Sequence, residues 1–219
     1  MDKSIKEVSK PIKQSVKVDW KIENVVATAE MHVEPEKIDL NIIARKYTDC
    51  KYNPERFPGL IMRFAEPKFT ALIFSTGKAV ITGLCNEDDV KDAVSAVIGK
   101  LKNAKIIVLD DSTFKVQNIV ASGNVHAPIN LNDAIIALDN SVYEPEVFPG
   151  LIYRAAESAE TPKAVFLIFS TGRIVCTGTK NREDVEKAVD ALAALLDTLD
   201  LLGNEKSLNE ESDDSDLDI

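Results

Sequence analysis

The chain has 219 residues, of which 45% are apolar, and it carries a formal net charge of −10 at pH 7. This length can hold one or two domains with a substantial core, and the longest purely apolar runs, six residues each at 164–169 and 191–196, are far short of the ~20 residues that span a membrane. The acidic balance argues at first sight against a nucleic-acid partner, because phosphate binding requires Lys and Arg.

Residues 1–19 are the first segment in chain order, and they contain five Lys and three acidic residues, a net charge of +2. They offer little to bury and no apolar stretch of the kind that a signal peptide needs. We therefore predict a disordered N-terminal arm. Residues 20–33 then read as a strand, with Asn24, Val26 and Thr28 on one face and Val25 and Ala27 on the other.

A helix is predicted from the Pro35–Asp39 region to about Tyr47, with an apolar stripe of Ile38, Ile42 and Ile43. A short strand just before Tyr52 and three further strands follow, at 59–65, 69–75 and 78–83, separated by turn sequences. Asn86 is predicted to cap a second helix, with acidic residues 87–89 in its first turn. The core-facing stripe of that helix is predicted to be Val90, Val94, Val97 and Leu101.

The second half of the chain repeats this order. Phe-Pro-Gly-Leu-Ile-Met-Arg at 57–63 returns as Phe-Pro-Gly-Leu-Ile-Tyr-Arg at 148–154, and Leu-Ile-Phe-Ser-Thr-Gly occurs at 72–77 and 167–172. The repeat predicts a strand at 117–126, a helix at 128–137, three short strands, and a final helix capped by Asn181. The buried face of that helix is predicted to contain Val185, Ala188, Val189, Leu192 and Leu195. An internal repeat of this length indicates one structural module used twice, here at 20–111 and 112–203.

The spacing between equivalent residues changes along the repeat. It falls from 94 to 91 residues around 31–36 and rises to 95 within 155–162. Three extra residues in the first copy and four in the second are thereby placed in predicted loops, where insertions cost little.

Residues 204–219 follow the second copy with seven acidic residues and one Lys, a net charge of −6. They are predicted to form a disordered acidic tail. The 184 residues between arm and tail therefore carry −6, which is compatible with a local basic rim. Cys50, Cys85 and Cys176 form no C-x-x-C motif, which favours a reduced intracellular setting.

Both faces of the predicted strands are uncharged and largely apolar, but two helices per copy can cover only one face. The other face needs a second sheet layer, a second copy of the chain, or a ligand with a broad apolar floor. Its polar residues come in repeat-equivalent pairs, which are Asn24 with Asn118, Thr82 with Thr177, and Thr28 with Ser122. Such residues suit the minor groove of A·T pairs, which presents only adenine N3 and thymine O2 acceptors.

The chain resembles the TATA-binding protein family over about residues 20–202. The resemblance rests on E-N-V-V-A-T and Q-N-I-V-A-S, on Y-N-P-E-R-F and Y-E-P-E-V-F-P-G-L-I-Y-R, and on the two L-I-F-S-T-G hairpins, all in the family's order. It implies an α+β fold, a two-repeat saddle in which a curved antiparallel sheet of ten strands carries four helices on its convex face. The acidic composition, short arm and acidic tail are more similar to archaeal members than to eukaryotic ones.

The resemblance also assigns roles to individual residues. Four phenylalanines match the family's intercalating positions, namely Phe57, Phe74, Phe148 and Phe169. Ten residues match its contacts to bases and groove floor, namely Asn24, Val26, Leu72, Val80, Thr82, Asn118, Val120, Leu167, Val175 and Thr177. Six match its phosphate contacts, namely Arg56, Arg63, Lys78, Arg154, Arg173 and Lys180. Glu144, Glu146 and Val147 match its contacts to a transcription factor B-type protein.

Two departures from the family's pattern concern its cations. Lys180 has Cys85 as its equivalent in the first copy, and Arg56 is matched by Glu146 or Val147 in the second. Because fewer cations neutralise fewer phosphates, we expect weaker DNA binding at high salt.

The resemblance implies a general transcription factor that binds and bends A·T-rich, TATA-box promoter DNA through the minor groove. Its partners would be that duplex, a transcription factor B-type protein and, indirectly, RNA polymerase. It would act on DNA as a monomer, in the cytoplasm and nucleoid if archaeal or in the nucleus if eukaryotic, with self-association of the free protein left open. The alternatives are a divergent paralogue that mainly binds proteins, and a ligand-binding or enzymatic fold with a closed pocket between the copies.

No Ser/His/Asp set, glycine-rich phosphate loop or paired-carboxylate cleft is evident, so no enzymatic activity is expected. His32 and His126 are repeat-equivalent but have no third metal ligand nearby in the sequence. Neither a metal nor another cofactor is expected.

Overall fold

The computed structural model describes residues 17–159 and 161–203. The disorder predicted for the N-terminal arm up to residue 16 and for the acidic tail therefore concerns residues outside the described ones. Residue 19, which the prediction assigned to the arm, already belongs to the first strand.

Two similar sets of elements follow one another along the described chain. The first set is β1 (Asp19–Glu30), β2 (Val33–Glu34), α1 (Leu40–Lys46), β3 (Cys50–Lys51), β4 (Leu60–Phe64), β5 (Phe69–Ile73), β6 (Lys78–Leu84) and α2 (Val90–Asn103). After β7 (Ile107–Val108), the second set is β8 (Thr113–Asn124), α3 (Leu131–Ala137), β9 (Ser141–Val142), β10 (Leu151–Ala155), β11 (Ala164–Ile168), β12 (Arg173–Thr179) and α4 (Arg182–Thr198).

Ten strands form one antiparallel sheet in the order β3-β4-β5-β6-β1-β8-β12-β11-β10-β9, and β2 pairs separately with β7. Equivalent strands of the two repeats follow in the same order from the two edges, so the long strands β1 and β8 meet at the centre. There Val25 lies opposite Ile119, flanked by Asn24 opposite Val120 and Val26 opposite Asn118. Because these residues are repeat-equivalent, the pair formed by Val25 and Ile119 marks the pseudo-twofold axis of the saddle.

Strict alternation of side chains decides which face of the sheet is covered. In β5 and β11 every second residue is buried, and the residues between them are half-exposed. The buried set packs under the helices with Val25, Ala27, Ile81 and Cys176. The predicted helix-covered face is confirmed, and the opposite, open face consists of the half-exposed residues.

The helix stripes are largely as predicted. Val90, Val94, Val97 and Leu101 of α2 are buried, as are Val185, Ala188, Val189 and Leu192 of α4. Asn181 caps α4 by accepting a hydrogen bond from the Asp184 N–H at 2.7 Å. Leu195 is only half-buried, because Leu196 occupies the core position on the last turn.

Two predicted helix starts are wrong, and a third is confirmed at the last residue of its predicted range. Asn86 accepts from the Asp88 N–H at 3.3 Å and so caps a preceding turn, whereas α2 itself begins at Val90. The helix α3 begins at Leu131, after the cap Asn130, and not at Pro128. The helix α1 begins at Leu40, after the cap Asp39, which belongs to the predicted start region. At α1 and α3 the side-chain oxygen of the cap accepts from a helical N–H and sets the start, whereas Asp89 before α2 makes no such hydrogen bond.

The prediction for one residue of α1 is also wrong, because Ile42 is 48% exposed and Leu40 is buried beside Ile43 instead. Because α1 has only seven residues, a small change in its first residue changes which side chains face the core.

The bounds of the long strands also differ from the prediction. The first strand ends at Glu30, and the rest of the predicted segment forms β2. The equivalent strand of the second repeat, β8, begins at Thr113 and ends at Asn124. The predicted four-residue insertion is present between β10 and β11, at 156–163, against 65–68 between β4 and β5.

Candidate nucleic-acid interface

The open face is built from cross-strand rows of uncharged side chains. In the first repeat Ile61, Leu72, Val80 and Thr28 lie opposite one another on β4, β5, β6 and β1. The equivalent row of the second repeat consists of Ile152, Leu167, Val175 and Ser122. All of these side chains are half-exposed. The rows include two floor residues that the sequence prediction missed, Ile61 and Ile152, although the alternation along β4 and β10 would have found them.

Two asparagines lie on this face beside the pseudo-twofold axis, each held by the neighbouring strand. The Asn24 Oδ1 accepts from the Gly83 N–H at 2.7 Å and from the Thr82 hydroxyl at 3.2 Å. The Asn118 Oδ1 accepts from the Gly178 N–H at 2.9 Å and from the Thr177 hydroxyl at 3.2 Å. Because a backbone N–H can only donate, it fixes each amide with Oδ1 toward that N–H. The Asn118 NH₂ group also lies 3.1 Å from the Thr177 hydroxyl, and since an NH₂ group has two hydrogens, at least one remains to donate to a ligand.

Gly83 and Gly178 supply these N–H groups from a backbone conformation that side chains disfavour, with φ of +97° and +98°. The register of β12 with β8 shifts between Thr177 and Thr179, which places Gly178 in a bulge. Glycine at these positions therefore lets the strand turn its N–H toward the asparagine.

The four predicted intercalating phenylalanines form two pairs, one at each end of the open face. The ring centroids of Phe57 and Phe74 are 5.8 Å apart, and those of Phe148 and Phe169 are also 5.8 Å apart, with interplanar angles of 64° and 65°. All four rings are half-exposed. Each pair thus forms a partly solvated wedge and is not absorbed into the core.

The glycine of each Phe-Pro-Gly turn makes room for its wedge. A Cβ on Gly59 would lie 2.7 Å from the Phe57 ring and 3.1 Å from the Phe74 ring, and a Cβ on Gly150 would meet Phe148 at 2.7 Å. The turn is closed by N–H groups that donate to a carbonyl four residues back, from Phe57 to Asn53 and from Phe148 to Glu144 at 2.9 Å each. The repeated heptapeptide therefore holds a ring pair in one geometry in both copies.

The six predicted phosphate-contacting cations are all exposed, namely Arg56, Arg63, Lys78, Arg154, Arg173 and Lys180. Lys78 forms a hydrogen-bonded ion pair with Glu30 at 2.9 Å. The hydrogen bond from Lys78 holds the pKa of the Glu30 carboxyl below its ordinary value. In the second repeat Arg173 lies opposite the neutral Asn124. Within residues 17–159 and 161–203, Arg173 has no acidic side chain in ion-pair contact.

The turn before the second wedge carries the predicted partner-binding residues. Glu144, Glu146 and Val147 are exposed, and 80% of the Val147 surface is accessible. The N–H groups of Arg56 and Val147 make the same turn hydrogen bond, to Asn53 and Glu144 respectively. The structural equivalent of Arg56 is therefore Val147, which resolves the two options left by the sequence.

Two polar residues on the open face were missed from the sequence. Glu23 and Gln117 fall at register shifts between β1 and β8, in bulges that turn both side chains to the open face. The Glu23 carboxylate accepts from the Ser122 hydroxyl at 2.5 Å, and the Gln117 amide donates to the Thr28 hydroxyl at 2.8 Å. The hydrogen bond from Ser122 and the ion pair with Lys21 lower the pKa of Glu23. No sequence signal marks these bulges.

The remaining candidate groups are the two histidines and Cys176. His32 contacts Asp111 at 2.8 Å and His126 contacts Asp19 at 2.9 Å, and no set of three metal ligands comes together in the described parts of the chain. Cys176 is buried, and burial raises the pKa of its thiol to about 12. No helix in those parts is long and apolar enough to cross a bilayer.

Comparisons with known proteins agree with this geometry. The family model described as "Transcription factor TFIID (or TATA-binding protein, TBP)" matches residues 19–104 and 113–199. The TATA-box-binding protein of Pyrobaculum aerophilum is 48% identical over 183 residues, 84% of this chain and 88% of that protein. That of Archaeoglobus fulgidus is 46% identical over 184 residues, 83% of this chain and 97% of that protein. A solved structure of Methanococcus jannaschii TBP aligns with a TM-score of 0.72 at 36% identity, and covers 82% of this chain and 99% of that one.

Proposed function

The chain belongs to the TATA-binding protein family, and from that premise we propose that it is a general transcription initiation factor. It binds A·T-rich, TATA-box promoter DNA through the minor groove, bends the duplex, and recruits a transcription factor B-type protein. The observation that carries the proposal is the open face, an uncharged floor with two identical phenylalanine wedges at its ends and two oriented asparagine donors at its centre.

The floor and its donors account for a preference for A·T pairs. The adenine N3 and thymine O2 atoms are acceptors, and the NH₂ groups of Asn24 and Asn118 each have a hydrogen to donate to them. Val26, Val120 and the two cross-strand rows supply apolar surface against the groove floor. A G·C pair would place its guanine N2 amino group against this apolar surface, and that donor would lose its hydrogen bond to water.

The wedges account for bending. Each ring pair inserts at one end of the bound site and unstacks a base step, and the opened minor groove then fits the broad sheet. The exposed cations along the rim neutralise phosphates, which makes binding dependent on salt. They are Arg56, Arg63, Lys78, Arg154, Arg173 and Lys180.

The partner-binding surface is the turn before the second wedge. Glu144 and Glu146 place two carboxylates there, and Val147 adds an exposed apolar contact. This combination disfavours phosphates and suits a basic protein surface with an apolar centre. RNA polymerase would be reached indirectly, through the bound transcription factor B-type protein.

Electrophoretic shift and bending assays on matched A·T-rich and G·C-rich duplexes across a salt series test the DNA function. We expect preferential binding and bending of the A·T-rich duplex, and loss of both in a Phe148→Ala/Phe169→Ala variant. Equal binding of both duplexes, or an unchanged bend in that variant, would contradict the proposal.

A divergent, mainly protein-binding paralogue is the second candidate, and the reduced set of cations favours it. Cys85 stands where the second repeat has Lys180, and Val147 where the first has Arg56. Strong binding of a transcription factor B-type protein in a pull-down, together with no detectable DNA bending even at low salt, would select this alternative.

A further inference from the structure

We propose that the acidic tail, residues 204–219, occupies the cationic rim of the second repeat in the DNA-free protein and competes with DNA for it. This inference rests on the proposed function, because it takes the rim around Arg173 and Phe169 to be part of the DNA surface. The tail follows directly from the last described residue, Gly203, so its starting point is known.

The start of the tail is anchored beside the second wedge. The Gly203 N–H donates to the Pro128 carbonyl at 2.8 Å, and Leu202 forms a bridge with Ile129. The Ile129 N–H in turn donates to the Ser170 carbonyl at 2.9 Å, and Ser170 directly follows the wedge residue Phe169. The tail therefore begins close to the turn after Phe169, because the segment that binds Gly203 also binds Ser170.

The same anchoring segment also holds the start of β12. The Val125 N–H donates to the Gly172 carbonyl at 3.0 Å, and Arg173 follows with Asn124 opposite to it in β8. The tail thus begins next to an exposed guanidinium as well as next to the wedge. The other predicted phosphate-contacting cations of this repeat, Arg154 and Lys180, lie on β10 and directly after β12.

The two repeats differ in how the cation at this position is balanced. In the first repeat Lys78 is paired within the fold with Glu30, at 2.9 Å. The equivalent pair of the second repeat is Arg173 and the neutral Asn124, and no ion pair to Arg173 is formed by the described residues. An acidic segment that starts nearby can supply the missing carboxylate.

The composition of the tail fits this surface. It contains seven acidic residues against one Lys, and it also contains Leu208, Leu217 and Ile219. Carboxylates can take the place of phosphates at the rim, while the apolar residues can contact the apolar floor. The tail therefore combines the two features of a duplex that the open face would recognise, which are negative charge at the rim and apolar surface at the floor.

The length of the tail is sufficient for this contact. Sixteen residues reach at most about 55 Å when extended, and a flexible chain of that length has a mean end-to-end distance of about 20–24 Å. Because the tail is tethered next to the rim, its effective concentration there is on the order of millimolar. Weak individual contacts are then enough for substantial occupancy.

The basic arm is the competing occupant for the tail. Asp19, where the arm joins β1, contacts His126 at 2.9 Å, two residues from the Pro128 that binds Gly203. The arm and the tail therefore leave the fold close together. Arg173 is favoured because no carboxylate of the described residues pairs with it, whereas the five Lys of residues 1–19 are accompanied by three acidic residues.

The experiment compares three proteins on one A·T-rich duplex across a salt series. They are the full chain, a variant that stops after Gly203, and a full-length variant whose seven tail acids are replaced by Asn or Gln. We expect both variants to bind about tenfold more tightly at low salt, as for a tail that is bound nine-tenths of the time, and the difference to shrink as salt rises. Equal affinities of the three proteins at every salt concentration would overturn the proposal.

Two further variants identify the occupied surface. Neutralising the tail should have a smaller effect in an Arg173→Gln background than in the equivalent Lys78→Gln background, because only Arg173 is the predicted tail partner. A tail effect that disappears on deletion of residues 1–16 would show that the arm is the partner, and would overturn the proposal. If the tail-free variant itself fails to prefer A·T-rich DNA, the proposed function fails and not merely the role of the tail.

Discussion

In the first repeat the turn before the wedge carries Arg56, whereas the equivalent turn of the second repeat carries Val147 between two exposed glutamates, Glu144 and Glu146. The wedges behind these turns have the same centroid distance, 5.8 Å. The edge strands also differ in charge. Lys51 lies opposite Ile61 in the first repeat, and the apolar Val142 lies opposite Ile152 at the equivalent place in the second. The first repeat is thus basic at its outer edge, and the second is acidic and apolar.

The helix-covered sides of the two repeats have also diverged. In the first repeat Lys100 pairs with Asp49 at 3.0 Å and lies 4.4 Å from the centroid of the Tyr47 ring. In the second repeat Lys100, Asp49 and Tyr47 are replaced by Leu195, Asn140 and Leu138, respectively. A polar cluster and an apolar contact therefore fill the same place in the fold.

Aromatic residues in the hairpins are exchanged in a comparable way. Phe64 stacks on Phe69 in the first repeat, at 4.2 Å between centroids, where the second has Ala155 opposite Ala164. Two residues earlier on the strand the second repeat has Tyr153 opposite Phe166, where the first has Met62 opposite Ala71. Each hairpin keeps one large and one small pair, so the core volume is conserved while its position shifts.

The two copies are alike along the apolar floor and at the ends of the open face, and they differ along its rim and on the helix-covered side. The wedges, asparagines and floor rows are shared, and the outer turns, edge strands and helix contacts are not. Four experiments test whether the shared and the divergent positions have different roles.

Removal of either wedge should have the largest effect on DNA binding. Stacking on an aromatic side chain contributes ~1–3 kcal/mol per base, so loss of two rings should weaken binding by at least about 30-fold. Because the two wedges share one geometry, Phe57→Ala/Phe74→Ala and Phe148→Ala/Phe169→Ala should show equal losses in a binding titration. Circular dichroism serves as the folding control, and a loss confined to one wedge would contradict the symmetry.

Conversion of the central asparagines to aspartate should have the next largest effect. In Asn118→Asp the carboxylate can still accept from the Gly178 N–H, but it cannot donate, and its charge faces the base acceptors. We expect binding to an A·T-rich duplex to fall by about 5- to 150-fold, for a loss of ~1–3 kcal/mol. Asn24→Asp should behave alike, and wild-type affinity in either variant would exclude the donor role.

Exchange of the outer turn residues should separate DNA binding from partner binding. Val147→Arg should weaken binding of a transcription factor B-type protein by about tenfold or more, and should add about 1 to the salt slope of DNA binding. The reverse change, Arg56→Val, should lower that slope by about 1 and leave partner binding unchanged. Pull-downs and salt titrations measure the two effects. If Val147→Arg and Arg56→Val weakened binding of the transcription factor B-type protein equally, the turn at 144–147 would not be its specific binding site.

The smallest effect is expected at a buried position where the repeats differ. Thr179 is 3% exposed and its hydroxyl has no hydrogen-bond partner within the described residues, whereas the first repeat has Leu84 there. Thr179→Val should therefore raise the free energy of unfolding by about 1 kcal/mol, measured by urea denaturation. Thr177→Val is the contrasting control, because that hydroxyl is bonded to Asn118 and its loss should destabilise. A destabilised Thr179→Val would contradict the comparison.

Much of this protein follows from its sequence alone. The repeated heptapeptide, the alternation along the strands and the 3.6-residue stripes identify two copies of one module, a helix-covered face and an open face. These signals are local, since they depend on the few residues that form one strand or one helix. The resemblance to a known family added the saddle and the residue roles, and the fold is confirmed.

Other features of the molecule depend on contacts between residues that are far apart in the sequence. The orientation of Asn24 depends on an N–H of β6, 59 residues away, and the ion pair of Lys78 depends on Glu30 in the neighbouring strand. The bulges at Glu23 and Gln117 arise from the register between β1 and β8, and the exit of the tail depends on its contact with Pro128. Pairing register and side-chain hydrogen bonds are settled when separate segments meet, so the sequence of one segment cannot specify them.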